Sequence, residues 1–230
     1  MVRLKPGIQI VEKKGLHYIV ERGNRVVRFK PWLGDSVSFL YDFIMEKSIF
    51  PKKFGGDMQQ HYDILRRTLA HAHGQRVLEL ATGSGSAVHF LNSDNRYVGT
   101  DISPGLLKRA AKRFTEAGFR EPAFYVVSAE ELPFDDALFD LCLCILSLNF
   151  FPNAERVLEE IARILVPEGV FVCSVPVPER NTLRRTIRGT LYSEKDLEQM
   201  CRARGLAFEP IPCDNGALMY FKAIKQPPRT

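Results

Sequence analysis

From residue 76 onward, short runs rich in β-branched and aromatic residues alternate with stretches of helical periodicity, and no other feature limits the fold as much. Residues 77–80, 97–100, 123–127, 141–146 and 170–175 have strand character, with helical patterns or a loop between them. Strands separated by helices pair in parallel, and the helices then cover both faces of the sheet. Helix starts are signalled locally by Ser103 before Pro104, by Asn153, and by Ser193 with Asp196 as a capping box, closed downstream by Gly205. Beyond Gly205, residues 207–211 and 217–224 flank Asp214-Asn215-Gly216, where the Asn-Gly pair predicts a hairpin. The expected fold class is α/β: a mainly parallel sheet with helices on both faces and a C-terminal antiparallel hairpin.

Upstream the pattern changes. Residues 6–30 read as a three-stranded antiparallel meander, with Ile8 and Ile10, then Tyr18 and Val20, then Val26, Val27 and Phe29, separated by polar, glycine-bearing turns. Pro31-Trp32-Leu33-Gly34 ends it, and Met58, Tyr62, Leu65 and Leu69 then fall on one face of a helix. The division expected is a β meander over 1–31 and a main domain over 32–230. With 230 residues, 45% hydrophobic and 26% charged, the chain is able to bury one sizeable core. The apolar run 141–148 is far shorter than the ~20 residues of a membrane helix. Arg3, Lys5 and Pro6 break up the start of the chain, and the five cysteines form no CxxC pair, so the expected location is cytoplasmic. A net charge of +5 allows an acidic partner without requiring one.

The residues with chemical promise cluster at strand ends. The first parallel strand runs into Glu79-Leu80-Ala81-Thr82-Gly83-Ser84-Gly85-Ser86, where Gly83 and Gly85 let the backbone bend and approach a ligand. Ligands of open parallel sheets bind at those carboxyl ends. Val88 stands where a dinucleotide fingerprint wants its third glycine, which counts against a pyrophosphate ligand. The second strand ends at Asp101, followed by Ile102 and Ser103; a carboxylate there can accept both hydroxyls of a ribose. The third strand leads to Ser128-Ala129-Glu130-Glu131-Leu132-Pro133-Phe134, then Phe139-Asp140.

At this point the chain, over about 35–224, resembles class I S-adenosylmethionine-dependent methyltransferases of the small-molecule type, which have a Rossmann-like sheet closed by a C-terminal hairpin. In that family the third turn reads Asp-Ala-Glu-x-Leu-Pro-Phe, then Phe-Asp, with its first positions near the adenine; Ser128 replaces the first aspartate here, while Ala129 and Glu130 match. Leu165-Val166-Pro167-Glu168-Gly169 resembles a Leu-Lys-Pro-Gly-Gly turn, with Glu168 in place of a glycine. Asp35-Ser36-Val37-Ser38-Phe39-Leu40-Tyr41-Asp42 is similar to a segment of the ubiquinone/menaquinone biosynthesis C-methyltransferases that covers the cofactor, and Tyr41 would lie near its methionyl end. The resemblance implies S-adenosylmethionine as cofactor, held by Glu79, Ala81, Gly83, Gly85, Asp101, Ile102, Ser128, Ala129, Glu130 and Tyr41. It implies methyl transfer to a small or lipid-like acceptor, with a quinone precursor as one candidate.

No catalytic base stands out. His61 and Tyr62, on the helix before the sheet, and Asn149, after the fourth parallel strand, are candidates by position alone. Asn149-Phe150-Phe151-Pro152 lacks the paired prolines of adenine methyltransferases, and no set of metal ligands is evident. If helical, residues 180–188 would align Arg180, Arg184 and Arg188 for an anionic substrate or tRNA, so an RNA methyltransferase stays open. Nucleic acid is not favoured, because no aromatic residues interleave the basic clusters. A non-catalytic cofactor-binding or scaffold protein is the third reading.

Overall fold

The structure is a computed structural model that describes residues 2–21, 25–27, 29, 45–182 and 184–227. Among these residues ten strands form one sheet: β1 (Gln9–Lys13), β2 (Leu16–Glu21), β3 (Arg25–Val26), β4 (Arg76–Leu80), β5 (Arg96–Asp101), β6 (Ala123–Val126), β7 (Phe139–Ile145), β8 (Leu165–Pro176), β9 (Leu206–Ile211) and β10 (Leu218–Lys225). Their order is β1-β2-β6-β5-β4-β7-β8-β10-β9, with β3 paired to β2. Strands β6, β5, β4, β7 and β8 are parallel, and β10 runs antiparallel between β8 and β9. The α/β fold class, the parallel sheet and the C-terminal antiparallel strands are those expected.

Among the described residues, four α-helices pack on this sheet: α1 (Met58–Thr68), α2 (Pro104–Glu116), α3 (Ala154–Ile164) and α4 (Glu194–Arg202). The caps read from the sequence are present. Ser103, Asn153 and Ser193 each accept a backbone amide, from Leu106, Arg156 and Asp196 respectively, and Ser193 and Asp196 close the capping box. Strand pleating divides the interior into two layers, since successive side chains point to opposite faces. Leu78, Leu80 and Val98 join α3 and α4 on one face, while Val77, Tyr97 and Leu141 join α1 and α2 on the other.

The N-terminal hairpin continues the sheet. Lys14 (φ 55°) and Gly15 (φ 74°) make its two-residue turn, and β2 then pairs in parallel with β6 through His17↔Tyr125 and Tyr18↔Val126. Leu16 is fully buried in the layer of α1 and α2, whereas Ile10 and Ile19 lie against the other layer. A strand edge that would otherwise show unpaired amides is covered in this way. The Asn215-Gly216 pair departs from the expected tight turn. Residues 212–217 form a longer connection, and buried Asn215 bonds to Asp57 at the start of α1 and to Tyr220.

Candidate active site

β4 has β5 on one side and β7 on the other, so the chain leaves its carboxyl end at the point where the strand order reverses, and a crevice forms there. The backbone after Leu80 is left-handed at Ala81 (φ 49°), Gly83 (φ 59°) and Gly85 (φ 87°). Gly85 is required by packing: a Cβ there would lie 2.8 Å from Ala110 Cα on α2. At Gly83 a Cβ would meet only Ala81 O, at 3.9 Å, so the space over the turn is open.

Asp101 binds this turn to the end of β5. Its Oδ2 accepts the Gly83 amide at 2.9 Å and its Oδ1 accepts the Ser103 amide at 2.8 Å, while Thr82 N donates to Thr100 O at 2.9 Å. Next to Asp101, Ile102 is 42% exposed, against an interior in which nearly all large apolar side chains are buried. An apolar side chain beside a carboxylate at the mouth of a glycine turn suits a flat heterocycle attached to a diol. Ser128, Ala129 and Glu130 follow β6 on the same edge of the sheet. Ala129 is buried, Ser128 Oγ accepts the Glu130 amide at 3.3 Å, and Glu130 Oε1 accepts the Asn153 amide at 2.7 Å. Glu130 thus ties the third turn to the start of α3.

Glu79 lies beneath the turn, within the sheet. It is 2% exposed, and its Oε2 accepts a hydrogen bond from the Tyr97 hydroxyl. The Tyr97 hydroxyl also meets Thr82 Oγ1 at 3.2 Å, and Thr82 Oγ1 donates to Glu79 O at 3.2 Å. Burial, against the opposing effect of these bonds, pushes the Glu79 carboxyl up to about 8. The same burial raises the Tyr97 hydroxyl. Gly99 makes room for Thr82, whose Oγ1 would be 2.7 Å from a Cβ at that position.

The remaining candidates separate. His61 is 1% exposed, its Nδ1 is 2.7 Å from the Tyr220 hydroxyl, and burial lowers its pKa to about 3, so it belongs to the core. The Tyr62 ring lies tilted against that of His89, at 4.9 Å between centroids. Asn149 is buried at the end of β7, where its Nδ2 donates to Arg188 O at 2.7 Å and its carbonyl accepts Thr190 N at 2.8 Å. Residues 181–193 form no helix among those described, so the arginine face does not arise. Arg180 instead pairs with Glu194 at 2.7 Å, and Arg185 donates to the Pro51 carbonyl. Tyr41 and the rest of 35–42 lie outside the described residues. Among the described residues, no group of three or more His, Cys, Asp or Glu side chains is placed to hold a metal ion.

Tyr97, Arg113 and Phe150 were not singled out as site residues by the sequence. Arg113 Nη1 lies 3.3 Å from Ser84 O, which braces the glycine turn from α2. Phe150, 56% exposed, follows the end of β7. A tyrosine in a buried strand, whose hydroxyl needs a partner, was the available signal for Tyr97.

Residues 78–173 match the family model described as a methyltransferase domain. Among curated proteins, the demethylmenaquinone methyltransferase of Clavibacter sepedonicus is 31% identical over 121 residues, covering 52% of this chain and 49% of its own. The phosphatidylethanolamine N-methyltransferase of Cereibacter sphaeroides is 36% identical over 111 residues, covering 46% of this chain and 54% of its own. The chain spans about half the length of the curated relatives it matches. Among solved structures, an S-adenosylmethionine-dependent methyltransferase from Clostridium acetobutylicum superposes with a TM-score of 0.68 at 15% identity, over 83% of this chain and 99% of that one. That likeness shows the fold alone. The match to a methyltransferase domain thus lies within a sheet that has the Rossmann-like fold of class I S-adenosylmethionine-dependent methyltransferases. S-adenosylmethionine is the methyl donor of this family.

Proposed function

We propose that the protein transfers a methyl group from S-adenosylmethionine to a small or lipid-like acceptor. The observation that carries this is the joining of the glycine turn to Asp101 at the switch point, with exposed Ile102 beside it and open space over Gly83. In this reading Asp101 accepts the ribose hydroxyls, Ile102 packs on the adenine, and the Ser128–Glu130 turn borders the ring. The open turn takes the methionyl part. When bound, the donor supplies a methyl group on a sulfonium already activated for displacement, so the protein's work is alignment and exclusion of water.

The acceptor side lies over the ends of β7 and β8. Its borders are Phe150 and the loop 181–193, which Asn149 holds from below and Arg185 joins to the segment 45–54. An exposed aromatic ring there favours an acceptor with an apolar body, and a quinone precursor is one such molecule. Calorimetric titration with S-adenosylmethionine and, separately, with NAD tests the donor site. Binding of the first alone is expected, with affinity lowered roughly ten- to hundredfold by Asp101→Ala, the effect of losing hydrogen bonds to a charged group. Unchanged affinity in that variant would exclude the site. An acceptor screen that starts with quinone precursors follows, read as S-adenosylhomocysteine formed.

A further inference from the structure

Among the described residues, Glu79 is the one carboxyl group buried beneath the turn that the proposed donor occupies, and its hydrogen-bond partners can serve either protonation state. With the carboxyl ionised, the Tyr97 hydroxyl donates to it and Thr82 donates to Glu79 O. With the carboxyl protonated, its own O–H faces the Tyr97 oxygen, and the Tyr97 hydroxyl turns to Thr82 Oγ1, 3.2 Å away. In either state Glu79 Oε2, the Tyr97 hydroxyl and Thr82 Oγ1 each keep a hydrogen-bond partner, so these bonds do not themselves fix the proton. The titratable groups acting on Glu79 are Tyr97 and Asp101 on β5 and Cys142 on β7, and none of them is a cation. No cation among these groups therefore competes for the ionised Glu79 carboxyl group, and the Asp101 carboxylate adds to the attraction for a positive charge brought to the turn.

The geometry points to Glu79 as the group through which the site distinguishes the cationic methyl donor from its neutral product: the carboxyl O–H bond breaks and the proton passes to solvent when the donor binds, and the proton returns when only the thioether remains. Tyr97 and Thr82 are the positioning residues of this exchange. The inference rests on the donor site proposed above. Coulomb attraction in a water-poor interior strengthens as a carboxyl group ionises, so the favoured ligand is the one bearing the sulfonium charge. Release of the product is then helped by reprotonation of Glu79.

The test is calorimetry of the whole protein with S-adenosylmethionine and with S-adenosylhomocysteine, between about pH 6 and pH 9 and in two buffers of different ionisation enthalpy, which counts protons released. Both ligands carry the same amino and carboxyl groups, so the difference between them isolates the sulfonium. Donor affinity is expected to rise by up to about tenfold per pH unit below the titration of Glu79, with net proton release larger than for the product. Glu79→Gln should abolish that difference, and Tyr97→Phe should move the pH at which it appears. Equal pH dependence and equal proton release for the two ligands in the unmodified protein would overturn the inference even if the variants do not fold. Absence of donor binding at every pH would instead overturn the donor site itself.

Discussion

Ala81 sits at φ 49° in a turn whose other left-handed positions are glycines, and a side chain in that region costs roughly 1–2 kcal/mol. The strain is held by Asp101, which accepts the Gly83 amide, and by the Thr82 to Thr100 backbone bond. Gly85 has no such latitude. Gly85→Ala places a methyl group 2.8 Å from Ala110 Cα and should cost on the order of 1–3 kcal/mol, read as a lower urea midpoint. Glu79 gives a pH prediction of definite sign. Its folded value, raised by burial to about 8, lies above the 4.5 of an unperturbed carboxyl group. The unfolded chain therefore loses this proton first as pH rises. The stability that the protonated carboxyl contributes is fully present below 4.5 and is lost progressively toward about 8. Glu79→Gln should flatten the fall in denaturant midpoint over that window; an unchanged slope would mean that other groups govern it.

At the scale of elements, buried Glu160 on α3 is the chief connector. Its Oε2 accepts Leu132 N at 2.8 Å, Arg163 Nη2 at 2.9 Å and Lys5 Nζ at 3.3 Å, which joins α3 to the loop after β6 and to the N-terminal segment. Glu160→Ala leaves a partly buried guanidinium and a buried amide without this carboxylate, and a loss of about 3–5 kcal/mol is expected in urea denaturation. A loss below 1 kcal/mol would show that water replaces the carboxylate. The loop 181–193 and the connection 212–217 are tied differently. Asn149 and Arg185 hold the first, while Asn215 holds the second to α1, so both segments are fastened by side chains distant in sequence.

For the whole molecule, the sheet runs without a break from β1 to β9, so the N-terminal hairpin is expected to unfold together with the rest. Leu16 is shared between the hairpin and the layer of α1 and α2. Leu16→Ala should cost about 2–5 kcal/mol and keep a single unfolding transition by circular dichroism and tyrosine fluorescence alike. Two separate transitions would mean that the hairpin folds as its own unit. No helix among the described residues is long and apolar enough to cross a membrane.

Much of this was legible in the sequence because it depends on local chemistry. Strand and helix alternation, the caps at Ser103, Asn153 and Ser193, and the carboxylate at the end of β5 are set by residues a few positions apart, where periodicity and capping preferences act directly. The placement of β10 between β8 and β9, the pairing of β2 with β6, and the role of Asn215 as an anchor in place of a simple turn residue were decided only in three dimensions. Their causes are contacts between segments far apart in the chain. The arginines of residues 180–188 show the same division: their spacing suited a helical face, but ion pairing of Arg180 with Glu194 and the hold of Arg185 on Pro51 fixed an irregular loop. Glu79 was legible as a residue near the end of a strand that runs into the glycine turn. That its carboxyl group lies under the turn, bound to Tyr97, followed from the parallel register of β4 and β5, in which Glu79 lies opposite Gly99 and leaves space for Thr82 between them.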